Sequence, residues 1–506
     1  MHLPAFGDND SKVARKMRTL SERERAMRMA DRTRINAKAI VAFQEGEHRI
    51  LNNGCVVVEG NEIIHVGRDF EGHVDTTVDA TDRVLTPGFI NTHAHLAGSP
   101  LDKSFIEDRG RRQFSMTGLS EMLPARSAAI DMEGQEACVD YSMIELIRTG
   151  TTTVMEIGGI GDYCIEAAER TGMRLYVANG YRSGHWLTRD GKRMEYDWNE
   201  QAGIDGFHRA VEFIERVDGR SNGLIKGYLS PSQIDTCTEE LLRMSRQASD
   251  SMQVPLALHT SQSVFEFDAI VQRHGLTPIE WLESIDFLSD WNVLGHCIMI
   301  AGSSWVQFAG DDLEILARHG STVAHSVWVF IRRGIALENY PNYLQRGVNV
   351  TLGTDTSPQS MIESLRWTAV MGKTMSRDAQ KSTAADVFNS ATLAPAKMLH
   401  RDDLGRIAPG AKADMLFWDA GSLFMVPLRD VIKNIVFNAQ AEDLKDVMID
   451  GRWVQQDGTV LGADERAASQ RLQYAGERMW AEMGPGDWAG RGTDELSPQS
   501  FKAFEG

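Results

Sequence analysis

His93 and His95, two residues apart in the segment NTHAH, are the first side chains in this sequence whose type and spacing suggest chemistry. On a strand, positions i and i+2 share a face, so the two imidazoles can converge on one ion. Four more groups stand late in apolar, strand-like runs: His259 in LALHTSQ, His296 in LGHC, His325 in VAHSVW and Asp355 in LGTDT. Any one alone is ordinarily a hydrogen-bonded polar residue near a strand end. Random placement would scatter them over both ends of their strands, yet all lie at the same end. Neutral imidazoles with a carboxylate make a borderline-hard site suited to one divalent ion, zinc first, with iron, manganese or cobalt as alternatives.

Such groups converge only if their strands are parallel neighbours. Eight apolar runs alternate with helical stretches: TPGFINTHAHL, TTTVMEIGG, RLYVANGYRS, LIKGYLSP, VPLALHTS, NVLGHCIM, TVAHSVWV and VNVTLGTDT. Alternation of this kind predicts an α/β fold, a (β/α)8 TIM barrel, over residues 89–399. Barrel enzymes carry their chemistry at the C-terminal ends of the strands, where these groups stand. Residues 31–88 and 400–456 hold β-rich segments, among them the hairpin-like VVVEGNEIIHVG and the later ADMLFWD and DVMIDGRWV, which predict a composite β-sandwich built from both ends. Residues 1–30 predict a charged N-terminal helix. Residues 457–506 predict a helix followed by a loosely held tail rich in Gly, Pro and Ser.

The long loops SPLDKSFIEDRGRRQFSMTGL and SGHWLTRDGKRMEYDWNE, with Phe105, Phe114, His185, Trp186 and Trp198, are expected lids over the site. Lys226, on the fourth run, stands five residues before Pro231 at its end and reads as an ordinary strand lysine. With 53 Lys and Arg against 71 Asp and Glu, the net charge is −18, which argues against a nucleic-acid partner. Five scattered cysteines without a CxxC pair are not a disulfide framework and fit a cytoplasmic setting. No run approaches the ~18 apolar residues of a membrane span.

TPGFINTHAHL, SPSQIDTCTEELL, the run ending in His259, LGHC, GTDT and LGRIAPGAKADMLFWD occur in one order. Together they resemble the amidohydrolase superfamily, in the branch of cytosine deaminase and the triazine, phenylurea and thiocarbamate hydrolases. The resemblance covers residues 35–456. It implies one metal held by His93, His95, His259 and Asp355, with His296 beside the metal-bound water, and a homo-oligomer.

Two positions depart from that pattern. Ring deaminases of the branch carry a Glu three residues after the fifth-strand His, and here Gln262 stands there. Gln cannot titrate and can only hydrogen-bond. The seventh run continues as HSVWVFIRRG, in which His325, Trp328 and Phe330 suggest a wall of the substrate pocket. The expected reaction is attack of a metal-bound hydroxide on a small neutral urea, carbamate or amide. Asp355 serves as proton acceptor, His296 polarises the carbonyl, and Gln262 orients the substrate. The alternative is a deaminase or chlorohydrolase of an aromatic N-heterocycle. A non-catalytic scaffold of the same fold is a third reading, disfavoured because every ligand position is filled.

Overall fold

The computed structural model describes residues 32–105 and 118–504. The helix expected over 1–30, and Phe114, lie outside the described residues. The chain opens with β1 (Arg32–Gln44), β2 (Glu47–Glu59), β3 (Glu62–Gly67) and β4 (Thr76–Pro87). The β2–β3 hairpin turns at Gly60, whose φ of 64° suits glycine.

Then come β5 (Phe89–Ala94), β6 (Thr151–Ile157), β7 (Arg174–Ala178), the hairpin β8 (Gly184–Leu187) and β9 (Glu195–Trp198), and β10 (Ile225–Gly227). They are followed by β11 (Leu256–Thr260), β12 (Asn292–His296), β13 (Thr322–His325) and β14 (Asn349–Leu352). The order β10-β7-β6-β5 forms one parallel sheet and β11-β12-β13-β14 another. Backbone bonds join the two sheets at both seams. Ala257 donates to the Leu229 carbonyl at 2.9 Å, while His95 donates to Asp355 and Asp355 to His93, each at 2.8 Å. The strands therefore close into a (β/α)8 barrel, one strand for each apolar run. Ile90, Met155, Tyr176, Tyr228, Ala257, Val293 and Ala324 fill its interior.

The last strands, β15 (Met415–Asp419), β16 (Leu444–Ile449), β17 (Arg452–Gln456) and β18 (Thr459–Val460), join the first four in one sheet, ordered β18-β17-β16-β15-β4-β1-β2-β3. Ile63 at the β3 edge donates to the Ala411 carbonyl at 2.8 Å, and Ala413 donates to Asn61 at 3.0 Å. The sheet thus bends back on itself around Ile35, Ile40, Val56, Leu85, Met415 and Phe417, so both chain ends share one core.

Arg174, at the start of β7, ties the barrel to this sheet. Its guanidinium, 2% exposed, bonds Asp414 and Asp450 at 3.1 Å each. Removing one side of a buried ion pair leaves the other charge uncompensated. Arg174→Ala is therefore expected to destabilise the fold by about 3–5 kcal/mol, read as a lowered denaturant midpoint. An unchanged midpoint would show that the carboxylates find other partners.

The helix Glu465–Glu482, capped by Asp464, packs on the helix Met132–Arg148. The tail beyond it is anchored as far as Leu496, and residues 499–504 are exposed. Trp488 donates to Glu121 at 2.7 Å, Arg491 bonds both Glu121 and Asp487, and Leu496 is buried. Its Gly and Pro content allows the path, while one Trp, one Arg and one Leu anchor it. All five cysteines are buried and free. Among the described residues no helix is long and apolar enough to cross a membrane.

Candidate metal centre and its cavity

β5 delivers His93 and His95 to the barrel mouth, and β11, β12 and the turn after β14 deliver His259, His296 and Asp355. Two glycines make room for this convergence. A Cβ at Gly295 would lie 2.8 Å from His93 Cε1, and one at Gly353 would lie 2.6 Å from His93 Cβ. The glycines in LGHC and LGTDT are therefore steric requirements of the site. Asp355 and His296 sit in left-handed backbone, with φ of 62° and 82°. Such strain persists only where neighbours over-determine it, and for Asp355 the paired backbone bonds to His93 and His95 do so. Behind it, Asn91 donates to Thr354 at 2.7 Å, and Gln359 Nε2 reaches the His95 carbonyl at 3.3 Å.

The ring nitrogens are already sorted. His95 Nδ1 lies 3.3 Å from the Ile157 carbonyl and His259 Nδ1 2.6 Å from the Ser232 carbonyl, so each Nδ1–H donates there. Both Nε2 lone pairs then face each other at 3.1 Å. The Asp355 carboxylate stands 3.7 Å from His95 Nε2, 4.0 Å from His93 Nε2 and 3.6 Å from His296 Nε2. Buried His93 Nε2 has no hydrogen-bond partner among the described residues. Facing lone pairs and a carboxylate repel one another unless a cation lies between them. Two Zn–N bonds span at most about 4.2 Å, so these separations fit one shared ion. Burial holds His95 and His259 down to about 4, and His93 and His296 well below their usual range, so the rings stay neutral and ready to ligate. Burial raises the Asp355 carboxyl, and His259, Arg333 and Arg332 oppose that rise.

The cluster opens into a cavity of about 330 Å³. Its walls include Phe105, Met122 and Phe330 on the apolar side, and Asp102, Arg126, Gln233 and Gln262 on the polar side. Asp102 pairs with Arg126. Of the three side chains expected to touch substrate, Gln262 lines this cavity. His325 is buried, its ring 6.0 Å from Tyr340, and is not among the residues that line the cavity. Trp328 is also displaced from the wall. It lies on the short helix Val327–Ile331, from which Val329 and Phe330 line the cavity, as does Arg333 just beyond its end. Trp328 instead packs on Trp367 at 5.7 Å. Lys226 is away from the cluster, paired with Asp218 at 3.2 Å.

The expected lid SGHWLTRDGKRMEYDWNE forms the β8–β9 hairpin and covers Asp235 instead of the cavity. Trp186 and Tyr196 donate to Asp235 at 2.8 and 2.7 Å. The sequence expectations did not include Gln233, although it stands in SPSQID, in the loop that follows the fourth barrel strand. Nor did they include Glu156, at the end of the second.

Glu156 is buried, accepts from Gly159 N–H at 3.0 Å, and has its second oxygen unpartnered. Burial raises it to about 8. A carboxyl raised on folding stabilises below its unfolded value of 4.5, and that contribution is lost as pH rises through about 8. Wild type should therefore lose more thermal stability between pH 5 and pH 9 than Glu156→Gln does. Parallel melting curves across that range would rule this out.

The sequence profile of the amidohydrolase family matches residues 84–454. A 5'-deoxyadenosine deaminase of Methanosarcina barkeri is 26% identical over 445 residues, covering 87% of this chain and 97% of that protein. A 5-methylthioadenosine/S-adenosylhomocysteine deaminase of Thermococcus kodakarensis is 29% identical over 413 residues, covering 80% and 91%. Among solved structures, a zinc-bound adenosine deaminase from Xanthomonas campestris superposes with a TM-score of 0.77 at 21% identity, covering 89% of this chain and 98% of that one. A zinc complex of atrazine chlorohydrolase from Arthrobacter aurescens gives 0.74 at 21% identity, covering 88% and 100%.

Proposed function

Since this chain belongs to the amidohydrolase family, a metal-dependent hydrolase of carbon–nitrogen bonds, we propose that its substrate is an amino-substituted N-heterocycle, from which it releases ammonia. The observation that carries this reading is the His–Asp donor cluster opening onto a cavity of about 330 Å³ with mixed apolar and amide walls. Such a space suits a single ring with a modest substituent. The relatives described above favour a ring over the acyclic ureas and carbamates that the Gln262 substitution suggested.

His93, His95, His259 and Asp355 would hold one ion, zinc by analogy with the solved relatives. When bound, the ion supplies a water acidified to a pKa of about 7 and a Lewis acid for developing charge. Asp355 takes the water's proton as oxygen adds to the ring carbon, and returns it to the departing amine. The balance is water in, ammonia out and a ring carbonyl formed. His296, 3.6 Å from Asp355, stands where charge develops on the new oxygen. Gln262 and Gln233 orient the ring.

The test is ammonia release by the metal-replete enzyme from aminopyrimidines, aminopurines and aminotriazines, set beside phenylureas and carbamates. Turnover confined to the ureas and carbamates would overturn the ring reading while leaving the metal assignment intact.

A further inference from the structure

One wall of the cavity is held from behind by the C-terminal residues. Gly118–Met122 forms a single π-helical turn that runs on into the helix Leu123–Ala129. Such turns are rare, and many stand at functional sites. Met122, Leu123 and Arg126 of this stretch line the cavity. Glu121 is 6% exposed and is not among the lining residues. Its Oε1 accepts from two tail residues, Trp488 Nε1 at 2.7 Å and Arg491 Nη2 at 3.0 Å. Arg491 is itself fixed by Asp487, to which it donates at 2.7 and 2.9 Å. The Asp487 carboxylate also accepts from the backbone N–H groups of Ala489 and Arg491, each at 3.0 Å.

Close packing backs these bonds. A Cβ at Gly486 would lie 2.7 Å from Ala128 Cβ, so the tail turn rests directly on the helix. A Cβ at Gly191 would lie 2.3 Å from Trp488 Cζ2, so the indole rests on the β8–β9 hairpin. Phe105 and Met122, which both line the cavity, share a buried cluster with Met479, Met483 and Leu496.

A tail that merely sealed a core would bury apolar groups there. This one also sets two N–H donors on one buried carboxylate of the wall. Without them Glu121 would be a buried, unpaired charge, which costs more than the bonds contribute. The turn would have to shift to bring the carboxylate to water, and Met122 and Arg126 would shift with it. We propose that Glu121, Trp488 and Arg491 are positioning residues of the substrate cavity, through which the tail holds the 118–129 wall in the shape that binds substrate. The inference rests on the proposed use of this cavity as the substrate site, and holds for a ring or a urea alike. The metal donors stand on barrel strands and on the turn after β14, so the proposal separates substrate binding from metal retention.

The double variant Trp488→Phe with Arg491→Met removes both donors while keeping an aromatic ring and an unbranched side chain. Phe501→Ala, at an exposed position of the same tail, is the control. Hydrogen exchange of peptides spanning 118–130 is measured by mass spectrometry on the zinc-loaded full chains, with zinc content determined in each. The double variant should exchange there at least about tenfold faster than wild type, the size of one buried hydrogen bond lost. Peptides holding His93 and His259 should exchange as in wild type. On the panel compound that wild type turns over fastest, of either class, KM should rise about tenfold while kcat stays within about threefold and zinc is retained. Glu121→Gln, which keeps Oε1 as an acceptor, should stay close to wild type in both readings, as should the control. Unchanged exchange over 118–130 would overturn the proposal, as would faster exchange with unchanged KM, or loss of zinc and kcat in place of binding. Exchange is read without substrate, so the positioning claim is decided even where no ring is hydrolysed. A failure of the ring reading shows instead in which compounds are turned over.

Discussion

His93→Ala and His259→Ala are each expected to lose the metal and the activity together. His93 Nε2 is buried with no protein partner, and His259 Nε2 faces His95 Nε2 at 3.1 Å. Among the described residues, no hydrogen-bond donor uses either lone pair. Outer partners of metal ligands typically cost 10–100-fold when removed. Loss of a ligand itself should therefore exceed about 100-fold in kcat/KM, with metal content falling from about one ion per chain towards zero. Elemental analysis of protein purified without chelator, beside kinetics, checks both arms. Full metal content in both variants would refute the assignment. The alanines should not unfold the barrel, because burial already makes these rings a cost that an ion offsets: each is held neutral, well below its ordinary titration range.

Asp355→Asn should keep the barrel and lower kcat by about 10²–10⁴-fold, the usual contribution of a positioned proton acceptor. The amide preserves the size of the side chain and leaves the backbone bonds to His93 and His95 in place. It removes the negative charge and the capacity to take a proton. Burial raises the carboxyl of Asp355 and the neighbouring His259, Arg333 and Arg332 pull it back, so its protonation balances opposing influences. Near-wild-type kcat in this variant would mean that another group takes the water's proton, with Glu156 the first to examine. Its carboxyl is raised to about 8 and lines the same cavity.

The elements of the fold are local properties, and the chain states them locally. Eight apolar runs predict eight strands because strand length and turn punctuation are written within a few residues. Thr238 and Asp464 cap the helices that follow them by accepting their first free N–H groups. The polar tail misled because composition reports backbone freedom, whereas Trp488 and Arg491 reach Glu121, more than 360 residues earlier in the chain. Trp328 misled for a related reason. Following a histidine at a strand end says nothing of the helical turn that swings the indole onto Trp367.

A residue's place in its own strand fixes which mouth it faces, so the barrel and the mouth at which His93, His95, His259, His296, His325 and Asp355 stand were legible in the chain, but not which of those rings meet. Only the tertiary structure decided what those groups meet. The tautomers of His95 and His259 depend on carbonyls of β6 and of the chain after β10, and the room for His93 depends on glycines in two other strands. The partner of the Gln262 side chain is Gln233, 29 positions earlier in the chain. Hydrogen bonds and close contacts act over about 3 Å, and barrel closure brings within that distance residues that the sequence keeps tens to hundreds of positions apart.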